Sequence, residues 1–162
     1  MSSESTVLAA FKALIVATYA SLGMSNSNSI HSTLLSYIDD ATQSRAAFLH
    51  ADTTDGKQVR AWGCDVESLL DYETHDETTL KLTLTLEAYY ALGVAGSGRE
   101  LLRTHIGVVN AALRADETFG GLITVPQWVS GPNIEVINEP SIGKILRARF
   151  VGAADYTQAT IS

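Results

Sequence analysis

The densest concentration of groups able to bind a metal or move a proton is Asp71, Glu73, His75, Asp76 and Glu77. Carboxylate oxygens suit calcium or magnesium, and an imidazole among them widens the choice to transition metals. The spacing nevertheless lacks the glycine and the terminal glutamate of an EF-hand loop. A solvated hairpin loop accounts for the same residues, so no bound ion is expected there. A second cluster, Gly93, Gly96 and Gly98, precedes a predicted helix, where backbone amides and the helix dipole can hold phosphate. Its order is G-x-x-G-x-G, and no Gly-Lys-Ser/Thr ending follows, so neither nucleotide fingerprint is met. The expectation is a flexible entry into a helix.

The four histidines, His31, His50, His75 and His105, form no H-x-x-x-H pair, and Cys64 is the single cysteine. An internal disulfide is therefore excluded, and zinc-finger spacing is absent. There is no G-x-S-x-G nucleophile elbow. The expectation is a protein that is not an enzyme and uses no cofactor. Arg147 and Arg149 stand out differently, because they alternate with Leu146, Ala148 and Phe150. On a strand that alternation puts both guanidinium groups on one face. They then either form an ordinary exposed face or make a charged strip that meets an acidic neighbouring subunit. In the second case, reversing both charges is expected to leave the fold intact and to weaken assembly.

The elements that must position these groups follow from periodicity. Ser5 or Thr6 can cap a first helix whose Val7, Leu8, Phe11, Leu14 and Ile15 recur three and four apart. Turn formers from Gly23 to Ser29 end it. Leu34, Leu35, Tyr37 and Ile38 fit a short strand or a helical turn equally well, whereas residues 46–50 favour a strand. Thr53-Thr54-Asp55-Gly56-Lys57 reads as a tight turn flanked by strands. Residues 59–70 then form a strand, paired across the acidic loop with Leu80, Leu82, Leu84 and Leu86. Those leucines alternate with Lys81, Thr83, Thr85 and Glu87, as in a half-buried strand. Ser97 and Glu100 have capping-box spacing at the start of a second helix, which Gly120-Gly121 stops. Breaks at Ser130-Gly131-Pro132-Asn133 and Asn138-Glu139-Pro140-Ser141 leave two or three further strands. The predicted class is α+β: an antiparallel-rich mixed sheet with two main helices packed on one face, in one domain spanning residues 1–162.

Composition agrees with a packed domain, at 46% hydrophobic and 18% charged residues. The net charge of −7 argues against a broad phosphate-binding surface, since nucleic-acid affinity comes largely from clustered Lys and Arg. Residues 7–22 are apolar but interrupted by Lys12, Thr18 and Tyr19, and they read as a buried helix rather than a membrane span. Without the pattern of a secretory signal, synthesis in a reducing cytoplasm is expected.

One stretch carries a family resemblance. The run Val108-Val109-Asn110-Ala111-Ala112-Leu113-Arg114-Ala115-Asp116-Glu117-Thr118-Phe119-Gly120-Gly121-Leu122 is a helix leading into an exit of acid, threonine, apolar residue and Gly-Gly-Leu. Together with the leucine-rich strand ending in Ala88-Tyr89-Tyr90, and the last strand over residues 144–150 with its trailing residues 152–156, it resembles the tail terminator family of long-tailed bacteriophages. The order of elements agrees along most of the chain. The resemblance implies a structural virion protein with no cofactor, made in the host cytoplasm and ending in the virion tail or neck. It implies a homohexameric ring that caps the tail tube, ends tube polymerisation and presents a face to the head-tail connector protein. DNA would pass through an acidic lumen without sequence-specific binding. A head-tail joining protein of the neck shares the same layout. A small ligand-binding module or an enzyme would instead require convergent polar groups in a pocket.

Overall fold

A computed structural model of the protein describes residues 3–24, 26–34, 49–52, 56–69, 80–93, 96–139 and 143–157. The alternating leucines form β4 (Leu80–Tyr90), the middle strand of a six-stranded sheet. On one side β4 pairs antiparallel with β3 (Gly56–Leu69), and on the other with β6 (Gly143–Tyr156). Beyond β6 lies β5 (Gln127–Glu139), and beyond β3 lies β1 (Ile30–His31), giving the order β1-β3-β4-β6-β5. Only the β1–β3 pair is parallel; β2 (Leu49–Asp52) pairs antiparallel with the start of β3, Asp52 opposite Gly56. The strands expected on either side of the Asp55-Gly56 turn are thus present, the first described over residues 49–52, while residues 46–48 of the expected 46–50 strand fall outside the described residues. Leu34 is buried coil, whereas Leu35, Tyr37 and Ile38 fall outside the described residues, as does the acidic loop from Asp71 to Glu77.

Both helices pack on one face of the sheet, and the protein belongs to the α+β class. Helix α1 (Ser3–Val16) turns Val7, Phe11 and Ile15 inward, one every four residues. It starts ahead of the expected cap at Ser5 or Thr6, and Glu4 in its first turn instead accepts hydrogen bonds from the amide (2.8 Å) and hydroxyl of Ser68 on β3. Helix α2 (Ser97–Ala115) buries Leu102, His105, Ile106, Val109 and Leu113, a stripe of helical period. These side chains meet Trp62, Cys64 and Val66 of β3, the even-numbered residues 82–90 of β4, and Leu146, Ala148 and Phe150 of β6. The opposite face has its own small apolar patch of Val59, Ala61, Tyr89 and Ile145.

Three local outcomes differ from the sequence expectation. No side chain caps α2: Gly96 sits at φ 80 as the cap residue, and Ser97 is already the first residue of the helix. The Gly98 amide is satisfied by the Leu92 carbonyl at 2.9 Å, so the first turn of the helix docks tightly onto the residues that follow β4, while residues 94–95 of the expected flexible entry lie outside the described residues. Second, β5 runs unbroken through Ser130-Gly131-Pro132-Asn133, where register shifts replace the expected turn. A bulge accommodates the missing proline amide without ending the strand. Third, β6 extends to Tyr156, well past residue 150.

The Gly-Gly exit of α2 is held by side chains. Asp116 accepts the Gly120 amide (2.9 Å) and Thr118 accepts that of Gly121 (3.1 Å). Phe119, Gly120 and Gly121 all have positive φ, and Phe119 is the one non-glycine residue so placed among those described. That conformation costs a side chain about 1–2 kcal/mol. Here it points the ring into the core, stacked on Phe11 with centroids 5.2 Å apart, a burial of comparable or larger value.

The α2 entry makes a paired prediction. A β-carbon at Gly98 would lie 1.9 Å from the Ala91 carbonyl oxygen, whereas one at Gly107, on the same helix, meets nothing within 4 Å. Gly98→Ala should therefore destabilise the protein by about 2 kcal/mol or more in urea unfolding, and Gly107→Ala should stabilise it by about 0.5–1 kcal/mol. Equal effects of the two substitutions would contradict the tight docking of the helix.

Candidate functional site

The polar groups of the sheet are organised in cross-strand rows on the face away from the helices. Register places Glu87 directly opposite Arg149, and Arg149 opposite Asn133 on β5; one step along, Tyr89 faces Arg147, which faces Glu135. Arg149 donates to the Glu87 carboxylate through Nε (3.1 Å) and Nη2 (2.5 Å), and the Tyr89 hydroxyl donates to the second carboxylate oxygen. Arg147 pairs with Glu135 at 3.0 Å. Glu87 has no exposed surface, so the strand's alternation did not place it in solvent as expected. Burial first, and the Glu87 carboxylate second, push the Tyr89 phenol well above its usual pKa. It stays a donor, which the carboxylate requires.

Both arginines singled out in the sequence are therefore on one face, and both are engaged by carboxylates of their own chain. Their situations differ. The Arg147–Glu135 pair is partly open to water, whereas Arg149 is the cation that compensates a fully buried carboxylate. The burial of Glu87 predicts, against the expected indifference of the fold to reversing both charges, that Arg149 matters to stability.

A second polar network lies between sheet and helices. The Tyr90 hydroxyl accepts from Trp62 Nε1 (3.1 Å) and meets His105 Nδ1 at 2.6 Å. With its lone pairs facing Trp62, the phenol donates to Nδ1, which fixes a neutral imidazole protonated on Nε2. Burial first, and the Arg60 guanidinium second, hold His105 down at about 4. Arg60 sits 5.7 Å from the Tyr90 ring centroid and donates to the carbonyls of Leu22 (3.3 Å) and Gly23 (3.0 Å), tying the end of the α1 segment to β3. Cys64 is buried, its thiol pushed up to about 12 by desolvation. A thiol so protonated is a poor nucleophile.

The sequence pattern missed Glu87, Tyr89, Tyr90 and His105. His105 had a readable signal: it falls three residues after Leu102 and four before Val109, on the apolar stripe of α2. His31 lies on β1, and the side chain of His50 and the residue His75 fall outside what is described. Among the described residues no group of three His, Cys, Asp or Glu side chains is placed to hold a metal, and no helix is long and apolar enough to cross a membrane. The open surface is elsewhere. Strand β5 ends the sheet, with Val136 56% and Trp128 39% exposed, and a groove of about 590 Å3 runs between it and α2, lined by Arg99, Arg103, Ile106, Asn133, Ile134 and Glu135. No protein-family model matches the chain, and no curated protein matches it.

The two networks give separate predictions. Arg149→Glu should cost about 2 kcal/mol or more in urea unfolding, because a second carboxylate would face buried Glu87. Arg147→Glu, whose partner is half-exposed, should cost under about 1 kcal/mol. A smaller loss at Arg149 than at Arg147 would refute this assignment. For His105, the folded pKa lies below the unfolded value, so the unfolded chain takes up the proton first and stability falls as pH drops through the window from about 6.5 to about 4. The contribution is of order 1–3 kcal/mol. His105→Gln should remove that part of the pH dependence of the melting temperature, and a parent and variant with parallel profiles would show that the imidazole is not held neutral.

Proposed function

We propose that the protein is a ring-forming subunit that caps the tail tube of a long-tailed bacteriophage, ends tube polymerisation and offers a face to the head-tail connector. The observation that carries the assembly part of this reading is β5. It terminates the sheet as a strand of 13 residues, pairs only with β6 among the described strands, and exposes Val136 and Trp128. An uncovered strand of this length is a template for pairing with another chain. Among the described residues the buried polar groups are meanwhile engaged internally: Glu87, Tyr89 and Arg149 by each other, and Tyr90, His105 and Trp62 by each other.

The phage part rests on the resemblance of the α2 exit and the final strands. The exit residues serve the fold directly, since Asp116 and Thr118 hold the Gly-Gly turn that places Phe119 on Phe11. Such a motif is a property of the scaffold, and it supports a shared scaffold more than a shared active site. A net charge of −7 suits a channel through which DNA must slide without adhering. The ring is read as homohexameric, and its partners are the tail tube protein on one side and the connector on the other.

The test is to polymerise tail-tube protein with and without the purified chain and to examine the products by electron microscopy. Expected are tubes that stop growing and carry a ring at one end, together with a native mass several times that of the monomer. Binding to head connector alone, with tube growth unaffected, would move the protein to the head-tail joining class. A monomer that alters neither structure would end the proposal.

A further inference from the structure

The two ends of the sheet are unlike. At the β3 end, backbone groups already have partners: residues 56–59 pair with β2, Trp62 and Gly63 with β1, and the Ser68 amide with the carboxylate of Glu4. At the β5 end no described element covers the strand. Next to that open edge, α2 sets Arg99 and Arg103 along the groove, one helical turn apart, above a floor of Ile106 and Ile134. The one carboxylate in the lining, Glu135, is held by Arg147 at 3.0 Å. Arg103 has only a 3.8 Å contact with Glu100, both side chains more than half exposed, and no ion pair of Arg99 occurs among the described residues. Contacts so open to water have little hold on a guanidinium. The groove is therefore cationic in a chain that carries 18 acids against 11 Lys and Arg.

From this juxtaposition we propose that the α2–β5 groove, with the free edge of β5, is the seat for an extended, carboxylate-bearing segment of a second copy of this chain. Main-chain hydrogen bonds to β5 would supply affinity, and the two guanidinium groups would select carboxylates by bidentate pairing. Charge complementarity favours a second copy, because any neighbouring molecule of this chain brings an excess of carboxylates. The contact joins unlike surfaces, β5 and α2 of one copy with an acidic segment of the next, so it is head-to-tail and can close into a ring. The inference rests on the assembly reading above and adds to it the surface and its polarity.

Sedimentation of the full chain over a range of concentrations tests it, with three variants beside the parent. Arg99→Glu combined with Arg103→Glu places like charges across the contact and should weaken self-association by about tenfold or more. Val136→Lys blunts the exposed strand and should do the same. Arg114→Glu, exposed in the last turn of α2 and not among the residues that line the groove, should assemble like the parent. Raising the salt from about 0.05 M to about 0.5 M should weaken the parent and leave the doubly reversed variant little changed. The Val136 variant decides the matter if the double reversal fails to fold. Parent-like assembly of both groove and edge variants overturns the inference, and so does a parent that stays monomeric at every concentration. Tube capping, measured in parallel, separates the two readings: a monomer that still caps tubes overturns this inference alone, and a chain that does neither overturns both.

Discussion

Strand β4 is buried on both faces over its last five residues, and the rest of the structure is arranged around that constraint. A strand covered on one face can send every second side chain into water. Leu86 to Tyr90 cannot, and three of those five side chains carry polar atoms. Each such atom needs a partner inside the protein, because an unpaired buried carboxylate or phenol costs more than the net gain of an ordinary hydrogen bond. The partners come from every neighbour: Arg149 from β6, Trp62 from β3 and His105 from α2. Register is thereby fixed chemically as well as by apolar packing. A slip of one residue between β4 and β6 would bring Arg149 opposite an apolar side chain and leave Glu87 without its cation.

The same constraint separates what could be read in the sequence from what could not. Period-two leucines made β4 legible, and the stripe from Leu102 to Leu113 made α2 legible, because in both cases one face meets the core and the other does not. The α+β class followed from the order of those elements. Glu87 was misplaced for the same reason that β4 was found: alternation assigns the odd positions to solvent, and it has no way to register that Val59, Ala61 and Ile145 gather on the second face. The continuity of β5 was hidden by Pro132 and Gly131, whose ordinary meaning is a turn. Pairing with β6 turns them into a bulge, and that pairing is not visible in the local sequence.

The helix boundaries show a related limit. Capping rules treat the end of a helix as a local problem to be solved by the nearest serine or acid. Glu4 at the start of α1 is spent on Ser68 of β3, 64 residues away, and Gly98 in α2 gives its amide to a carbonyl at the end of β4. The Glu4 carboxyl is held below its usual pKa by those Ser68 bonds, the hydroxyl first. Spacing such as Ser97 to Glu100 offers a cap; tertiary docking of the backbone makes it unnecessary.

The irregularity in β5 has a consequence for anything that lies along its outer side. Between the pairs Trp128–Gly152 and Asn133–Arg149 the edge strand advances five residues while β6 advances three. Two surplus residues are stored there, and the even number returns the side chains beyond them to the same faces as before. Beyond that point, residues 133–139 run in unbroken register against β6, a straight stretch of about 23 Å at strand rise. The surplus acts as a ruler stop: a chain laid against the straight stretch cannot slide toward Trp128 without losing its hydrogen-bonding phase. An open edge normally tolerates slippage in steps of two residues. The interruption at residues 128–133 removes that freedom in one direction, toward Trp128.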